Sequence, residues 1–244
     1  MTEGRTSVQD RAQATRKVLL ESAAHLFVEQ GYAGTSINEV GDRSGRTSGA
    51  IYFHYSSKEK LALAVVHAQF ASWPQLNARY TAPGIPPLEK LVALSFDVAH
   101  TLREDVIARA GARLWTERRS IDAAVPAPFA GWTAAVTRLL AEARARGELA
   151  GGIDPSGTAT TLVCSFFGLY TLTDEVAGER ELGARLNQWW LLVLGALQAR
   201  PDPAALLARV RSRLAANGVR IPVRTRPRAG GKAVGAQPDV AASG

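Results

Sequence analysis

Residues 46–61 read RTSGAIYFHYSSKEKL. Small hydroxyl residues and a glycine come first, then two tyrosines, a histidine and two lysines. An apolar stripe at Leu61, Ala64, Val65 and Ala68 follows at helical spacing. Thr47 can cap a short helix, with Ile51 as its inward anchor. The same logic at Ser56 and Glu59 opens the next helix. Upstream, TSINEV (35–40) places Ser36 three residues before Glu39, the spacing of a reciprocal capping box. Ile37 and Val40 then face inward, and Ser44-Gly45 ends that helix within about two turns. Two short helices joined by a glycine turn, with longer helices on either side, spell a helix-turn-helix.

The flanks agree. Leu19, Ala23, Leu26 and Phe27 fall on one face of a helix at about 11–30, and Gly31 is a plausible stop. Residues 1–10 are polar and read as loose. Beyond Trp73-Pro74, prolines 83, 86 and 87 mark a connection. Helical patterns follow at roughly 87–103, 105–118, 126–146, 155–177, 181–199 and 203–215. Asp154-Pro155 and Asp202-Pro203 supply a cap and a first-turn proline to two of them. From 217 onward Gly, Pro, Ala and Arg prevail without periodicity, the texture of a disordered basic tail. That tail reads either as a solubilising end or as an extra, nonspecific phosphate contact.

The fold class is therefore all-α. A flexible start (1–10) precedes a three-helix helix-turn-helix domain (11–60). A second helical domain (61–216) and a basic tail (217–244) complete the chain.

In such a motif the second helix enters the major groove, and its first residues approach base edges. Here these are Thr47, Ser48 and Gly49, with Arg46 beside them. Hydroxyls serve several bases, and a threonine methyl can touch thymine. Tyr52, His54 and Lys58 can donate to phosphates. Lys58 lies in a first helical turn, where a cation is mildly unfavourable, so a phosphate would give it a reason. The competing reading is plain packing, and Phe53 or Tyr55 fits it.

Charge alone does not decide between them. The chain is 244 residues long with net charge +7, yet residues 1–60 hold eight basic against seven acidic groups. Residues 218–244 hold five against one. Apolar residues make up 46% of the chain, enough for a sizeable core. Cys164 is the single cysteine, so neither an internal disulfide nor a cysteine zinc site can form, which fits the cytoplasm. No signal peptide is apparent, and the apolar run near Trp189–Leu197 is too short to span a bilayer.

Residues 11–61 resemble the N-terminal domain of TetR-family transcription regulators. The resemblance is carried by Thr15-Arg16, Ala23-Ala24, Leu26-Phe27, Gly31-Tyr32, Thr35-Ser36, Gly45, Thr47, Gly49-Ala50, Tyr52 through Tyr55, and Lys58. GAIYFHYSSKEKLA (49–62) and, more loosely, PAPFAGWTAAVTRLLAEARARGEL (126–149) resemble the γ-butyrolactone receptor branch. The resemblance implies a homodimer on a palindromic operator in double-stranded DNA, released by a small apolar signal molecule such as a γ-butyrolactone. It usually implies a repressor, here of secondary metabolism. One departure concerns Ser48, since relatives in that branch often carry a lysine there.

The resemblance also places Trp132 over the signal molecule. An indole offers a broad apolar face and one donor, which suits a neutral lactone. Phe96, Trp115, Phe166 and Tyr170, on three of the predicted helices, are candidate neighbours, though each also reads as core. The resemblance implies that the last two long helices pair across the dimer, so residues 155–199 are the expected dimer surface, with one stripe at Leu162, Phe166 and Leu169 and another at Trp189, Trp190, Val193 and Leu197 that is wide enough to serve both core and partner.

No catalytic residue, cofactor or metal is expected. Histidines 25, 54, 67 and 100 lack metal-protease spacing. GRTSG (45–49) is not a nucleophile elbow, and Gly230-Gly231-Lys232 lacks the upstream glycine of a phosphate-binding loop. Glu117 and Asp122 read as isolated, solvated acids. Two alternatives stay open: a DNA-binding regulator without a small ligand, and a signal-sequestering protein.

Overall fold

A computed structural model describes residues 3–80, 84–127, 129–177 and 181–219. These form ten helices and one 3-10 turn at Arg118–Ser120. The basic tail lies outside the described residues from 220 onward.

The first helix, α1 (Glu3–Gly34), starts well before the periodicity predicts. Residues 9–14 are exposed, so no apolar stripe marks them. They are nevertheless good helix formers, and the stretch read as loose is helical from Glu3. Leu19, Ala23, Leu26 and Phe27 are buried as their spacing requires. Gly31 breaks the helical path with φ 75 and ψ 178. Only glycine adopts that conformation freely. A Cβ there would also sit 2.7 Å from Glu117 Oε1.

The short helices α2 (Ile37–Ser44) and α3 (Ser48–Tyr55) follow. Both bonds of the capping box are made: Glu39 N–H donates to Ser36 Oγ (3.2 Å), and Ser36 N–H donates to Glu39 Oε2 (2.7 Å). The Ser36 hydroxyl and backbone bonds hold the Glu39 carboxyl below the ordinary carboxylate range. Gly45 makes the turn in the left-handed region (φ 64). Thr47 Oγ1 then accepts from Ala50 N–H at 3.2 Å, and Ile51 is buried.

Helix α4 (Lys58–Ala78) corrects one detail of the sequence reading. Its cap is Ser57, whose hydroxyl accepts from Lys60 N–H, while Ser56 ends α3 at φ 65. Behind α4 lie α5 (Pro87–Glu104), α6 (Val106–Thr116) and α7 (Phe129–Ala145). The long helices α8 (Pro155–Ala177) and α9 (Leu182–Leu197) come next, then α10 (Pro203–Ala216). Asp154 and Asp202 cap α8 and α10 as expected.

There are two cores. The first joins Leu19, Phe27, Val40 and Ile51 to Leu61 and Val65 of α4 and to Ala110 and Leu114 of α6. The core of the helix-turn-helix domain therefore extends past residue 60. The second gathers Val92, Leu140, Leu186, Trp190, Leu194, Val210 and Leu214. Buried Glu89 fastens α10 to α5, taking bonds from Arg209 (3.1 Å) and Arg213 (2.8 and 2.9 Å).

The stripes expected at the dimer surface mostly serve the protomer itself. Leu162, Phe166, Trp190 and Leu197 are buried within it. Among the described residues, the large apolar side chains of α8 and α9 that stand exposed are Leu172 (60% exposed), Leu191 (40%) and Leu192 (77%). Each heptad of a wide apolar helix offers two faces, and spacing alone does not say which one the protomer keeps.

Candidate nucleic-acid interface and ligand cavity

The surface of α3 opposite Ile51 is open. Arg46, Thr47 and Gly49 are exposed at its start, and Tyr52 (52% exposed) and Phe53 (84%) stand out beyond them. A phenylalanine bared to that degree is not packing. Tyr55 takes that role: it is buried, its hydroxyl donates to Arg16 O at 2.8 Å, and the Arg16 guanidinium lies 5.0 Å over its ring. Burial raises the Tyr55 pKa above that of free tyrosine. His54 is half-buried and meets the Phe53 ring edge-on at 5.2 Å.

Two predicted contact residues have partners inside the protein. The Ser48 hydroxyl donates to Asn38 Oδ1 at 2.8 Å. Its oxygen keeps acceptor capacity, and Asn38 of α2 joins the same surface. Lys58 Nζ donates to Thr35 O at 2.7 Å and sits 4.3 Å over the Tyr32 ring. An ammonium has three N–H groups, so this tether aims the cation without using it up. Tyr32 in turn donates its hydroxyl to Glu59 Oε1 at 2.9 Å. Burial first, and then the bond to Glu59, push the Tyr32 pKa well above the usual phenol value. Asn38 went unassigned in the sequence, and Phe53, a packing candidate there, is exposed. Asn38 could have been found as the polar residue beside Ile37 on α2.

The second site is a cavity of about 480 Å³ lined by α4, α5, α7, α8, α9 and the segment before α7. Trp132 lines it, as the resemblance implies, and Phe166 lines it too. Trp73 of α4 meets Trp132 edge-to-face, with centroids 4.8 Å apart. Trp189 and Trp190 of α9 form part of the opposite side. Trp190 Nε1 donates to Ser95 Oγ at 2.7 Å, and that hydroxyl donates to Val92 O at 2.7 Å.

The other three candidates do not reach the wall. Phe96 is buried in the second core, while α5 turns Leu91, Leu94, Ser95 and Val98 to the cavity. Trp115 stacks edge-on against Phe129 (4.5 Å) and Phe167 (5.2 Å) and carries Arg118 over its face (4.0 Å). It lies one ring removed from Trp132, through Phe129. Tyr170 packs on Phe167 at 6.4 Å. The cavity aromatics missed by the sequence reading are Phe70, Trp73, Trp189 and Trp190.

Two connections tie the helix-turn-helix region to the rest of the fold. The first is α4, which carries Leu61 and Val65 in the head core and Trp73 in the cavity wall. Its far end is pinned by fully buried Asp97, which accepts from Arg79 Nη1 (3.0 and 3.1 Å) and from the Tyr80 hydroxyl (3.1 Å). Burial and the Asp97 charge push the Tyr80 pKa well above the phenol value. The second is α6. Glu117 accepts the Tyr32 N–H at 2.6 Å and pairs with Arg113 at 2.8 Å, and Arg113 also donates to Val28 O. Glu117, read as a solvated acid, is thus a structural clamp on the end of α1.

Among the described residues, no group of three or more His, Cys, Asp or Glu is placed to hold a metal ion. None of their helices is long and apolar enough to cross a membrane.

Comparison with known proteins covers both regions. Residues 19–65 match the model of bacterial regulatory proteins of the tetR family. Residues 85–199 match that of the tetracyclin repressor-like C-terminal domain. The A-factor receptor protein of Streptomyces griseus is 32% identical over 186 residues, which is 76% of this chain and 64% of that protein. The match thus spans a little under two thirds of that relative. A solved γ-butyrolactone receptor, an ArpA-like protein, is 31% identical with a TM-score of 0.70, covering 82% of this chain and 98% of the other. The TetR family protein CprB from Streptomyces coelicolor, solved with its operator sequence, is 30% identical with a TM-score of 0.73, covering 83% and 98%.

Proposed function

The chain belongs to the TetR family of bacterial regulatory proteins, and from that premise we propose that it is a cytoplasmic, ligand-responsive repressor. It binds a palindromic operator as a homodimer, and a small γ-butyrolactone-like signal releases it. Control of secondary metabolism is the role that fits the signal-receptor relatives.

One observation carries the reading. Helix α4 runs unbroken from Lys58, beside the α3 surface, to Trp73, Pro74 and Asn77 in the cavity wall. A ligand that seats against Trp73 and Trp132 therefore acts on the helix that adjoins the α3 surface. Leu172, Leu191 and Leu192 supply exposed apolar area for a second copy. A two-fold pair sets its two α3 helices about one DNA turn, ~34 Å, apart. Thr47, Ser48 and Gly49 then meet base edges, while Arg46, Tyr52, His54 and Lys58 hold phosphates. Ligand binding favours a different α4 position and changes that span. It can do so only through unequal affinity for the two arrangements.

The test is selection from random duplexes with the purified chain, followed by a salt series on the enriched sequence. Enriched inverted repeats, bound by a dimer with a steep loss of affinity on added salt, are expected. A monomer, or a pool without inverted repeats, refutes the assignment. A lactone panel added to the complex then tests release.

A further inference from the structure

Most polar groups at the starts of α2 and α3 are engaged in holding those helices. Ser36 and Glu39 close the capping box, and Thr47 Oγ1 takes Ala50 N–H. Arg43, the cation of α2, is turned to Glu29 at 2.9 Å. Asn38 is different. It is the second residue of α2, stands exposed, and its Oδ1 accepts the Ser48 hydroxyl proton at 2.8 Å. Ser48 is the first residue of α3. In a helix-turn-helix the first residues of the second helix approach base edges. A carboxamide bonded to the first of them shares that approach. Among the described residues, the Asn38 N–H groups meet no protein acceptor. The backbone beneath is tight: Arg46 N–H donates to Gly41 O at 3.0 Å, and a Cβ on Gly41 would stand 2.8 Å from Arg46 O. The spacing of the two helix starts is thus set within the protein itself.

The bond to Ser48 also fixes the polarity of the carboxamide. Oδ1 is held toward α3, one of its lone pairs stays open, and the N–H groups point away. Without that bond, half a turn about the last side-chain torsion would exchange the donor and acceptor edges. An amide of fixed polarity matches adenine, which offers the N7 acceptor beside the N6 donor. Guanine offers two acceptors there, and its O6 would face Oδ1.

We propose that Asn38 is a specificity-determining residue: its carboxamide reads one adenine in each operator half-site, and at that base Ser48 acts through it as a positioning residue. Asn38 Nδ2 donates to N7, and Oδ1 accepts from the N6 amino group. This rests on the operator-binding reading above and deepens it. Sequence choice is then shared by α2 and α3, where α2 would otherwise only place the protein on the sugar-phosphate backbone.

The experiment uses the full chain, selection from random duplexes, and then anisotropy titrations on the enriched site. Wild type is expected to prefer adenine over guanine at one position of each half-site by about tenfold or more. Replacing that adenine by 7-deazaadenine keeps the base pair and removes the N7 acceptor. It is expected to weaken wild type roughly five- to tenfold. Asn38→Ala, at an exposed position, is expected to bring the four bases there within about twofold and to abolish the 7-deazaadenine effect. Ser48→Ala is expected to cut the adenine preference to about threefold at the same position. Ser48→Thr, which keeps the hydroxyl, is expected to retain it. An equal loss across all four bases in Asn38→Ala marks a phosphate contact and overturns the proposal. So does a wild type indifferent to 7-deazaadenine at every adenine of the site, a measurement that needs no variant. Changed preferences at different positions in Asn38→Ala and Ser48→Ala overturn the coupling. If selection enriches no inverted repeat, the operator reading fails and the proposal falls with it. If repeats are enriched but Asn38→Ala keeps the wild-type base profile, the proposal fails alone.

Discussion

The reading head and the cavity are built in opposite ways. The head is a polar surface held by short-range bonds: Ser36 with Glu39, Thr47 with Ala50 N–H, Ser57 with Lys60 N–H. Its partners lie within a few residues of each other. The cavity is an apolar chamber whose wall draws on residues from Phe70 to Trp190. The head can therefore be specified locally, while the cavity exists only once five helices have packed. The two regions share α4 and are bound again through α6, and that shared material is where substitutions should affect both.

The largest expected effect falls on such a junction. Gly31→Ala puts a Cβ where Glu117 and Arg113 already stand, at a backbone conformation only glycine adopts freely. A loss of about 3 kcal/mol in chemical unfolding is expected, with operator and ligand binding weakened together. If unfolding is unchanged, the α6 clamp does not join the regions. Next comes Trp132→Ala, which removes an indole from the wall and its contact with Trp73. Ligand affinity should fall by about 2 kcal/mol, roughly 30-fold, with operator affinity kept, as read by calorimetry and fluorescence anisotropy.

The mirror experiment is Tyr52→Ala. That side chain is half exposed on α3 and far from the cavity wall, so operator affinity should drop about tenfold while ligand binding stays as in wild type. Reversed outcomes for these two variants would break the division of labour. Ser36→Ala is the smallest change. It removes one half of the capping box, and a stability loss of about 1 kcal/mol is expected in thermal or urea unfolding. Ligand affinity should stay unchanged.

The same contrast explains what could be read from the chain alone. Capping boxes, glycine turns and helical stripes are local patterns, so α2, α3 and the exposed face around Tyr52 were legible. Trp132 was legible only through resemblance. Trp73 and Trp190 were not, because an aromatic on an amphipathic helix looks alike whether it faces a core or a chamber. Phe96 failed for the same reason: α5 is apolar on more than one side, and only packing decides which side faces the cavity. Glu117 looked solvated because its partners, Tyr32 N–H and Arg113, include one that is remote in sequence. Where α1 begins was obscured by the lack of any packing partner for residues 9–14.

The central claim is that ligand and operator favour different positions of α4. A closed binding cycle tests it most directly: operator affinity with and without saturating lactone, and lactone affinity with and without saturating operator. The account predicts that each ligand weakens the other by the same factor, about tenfold or more, as linkage requires. Operator affinity unmoved by a lactone that demonstrably fills the cavity would contradict it.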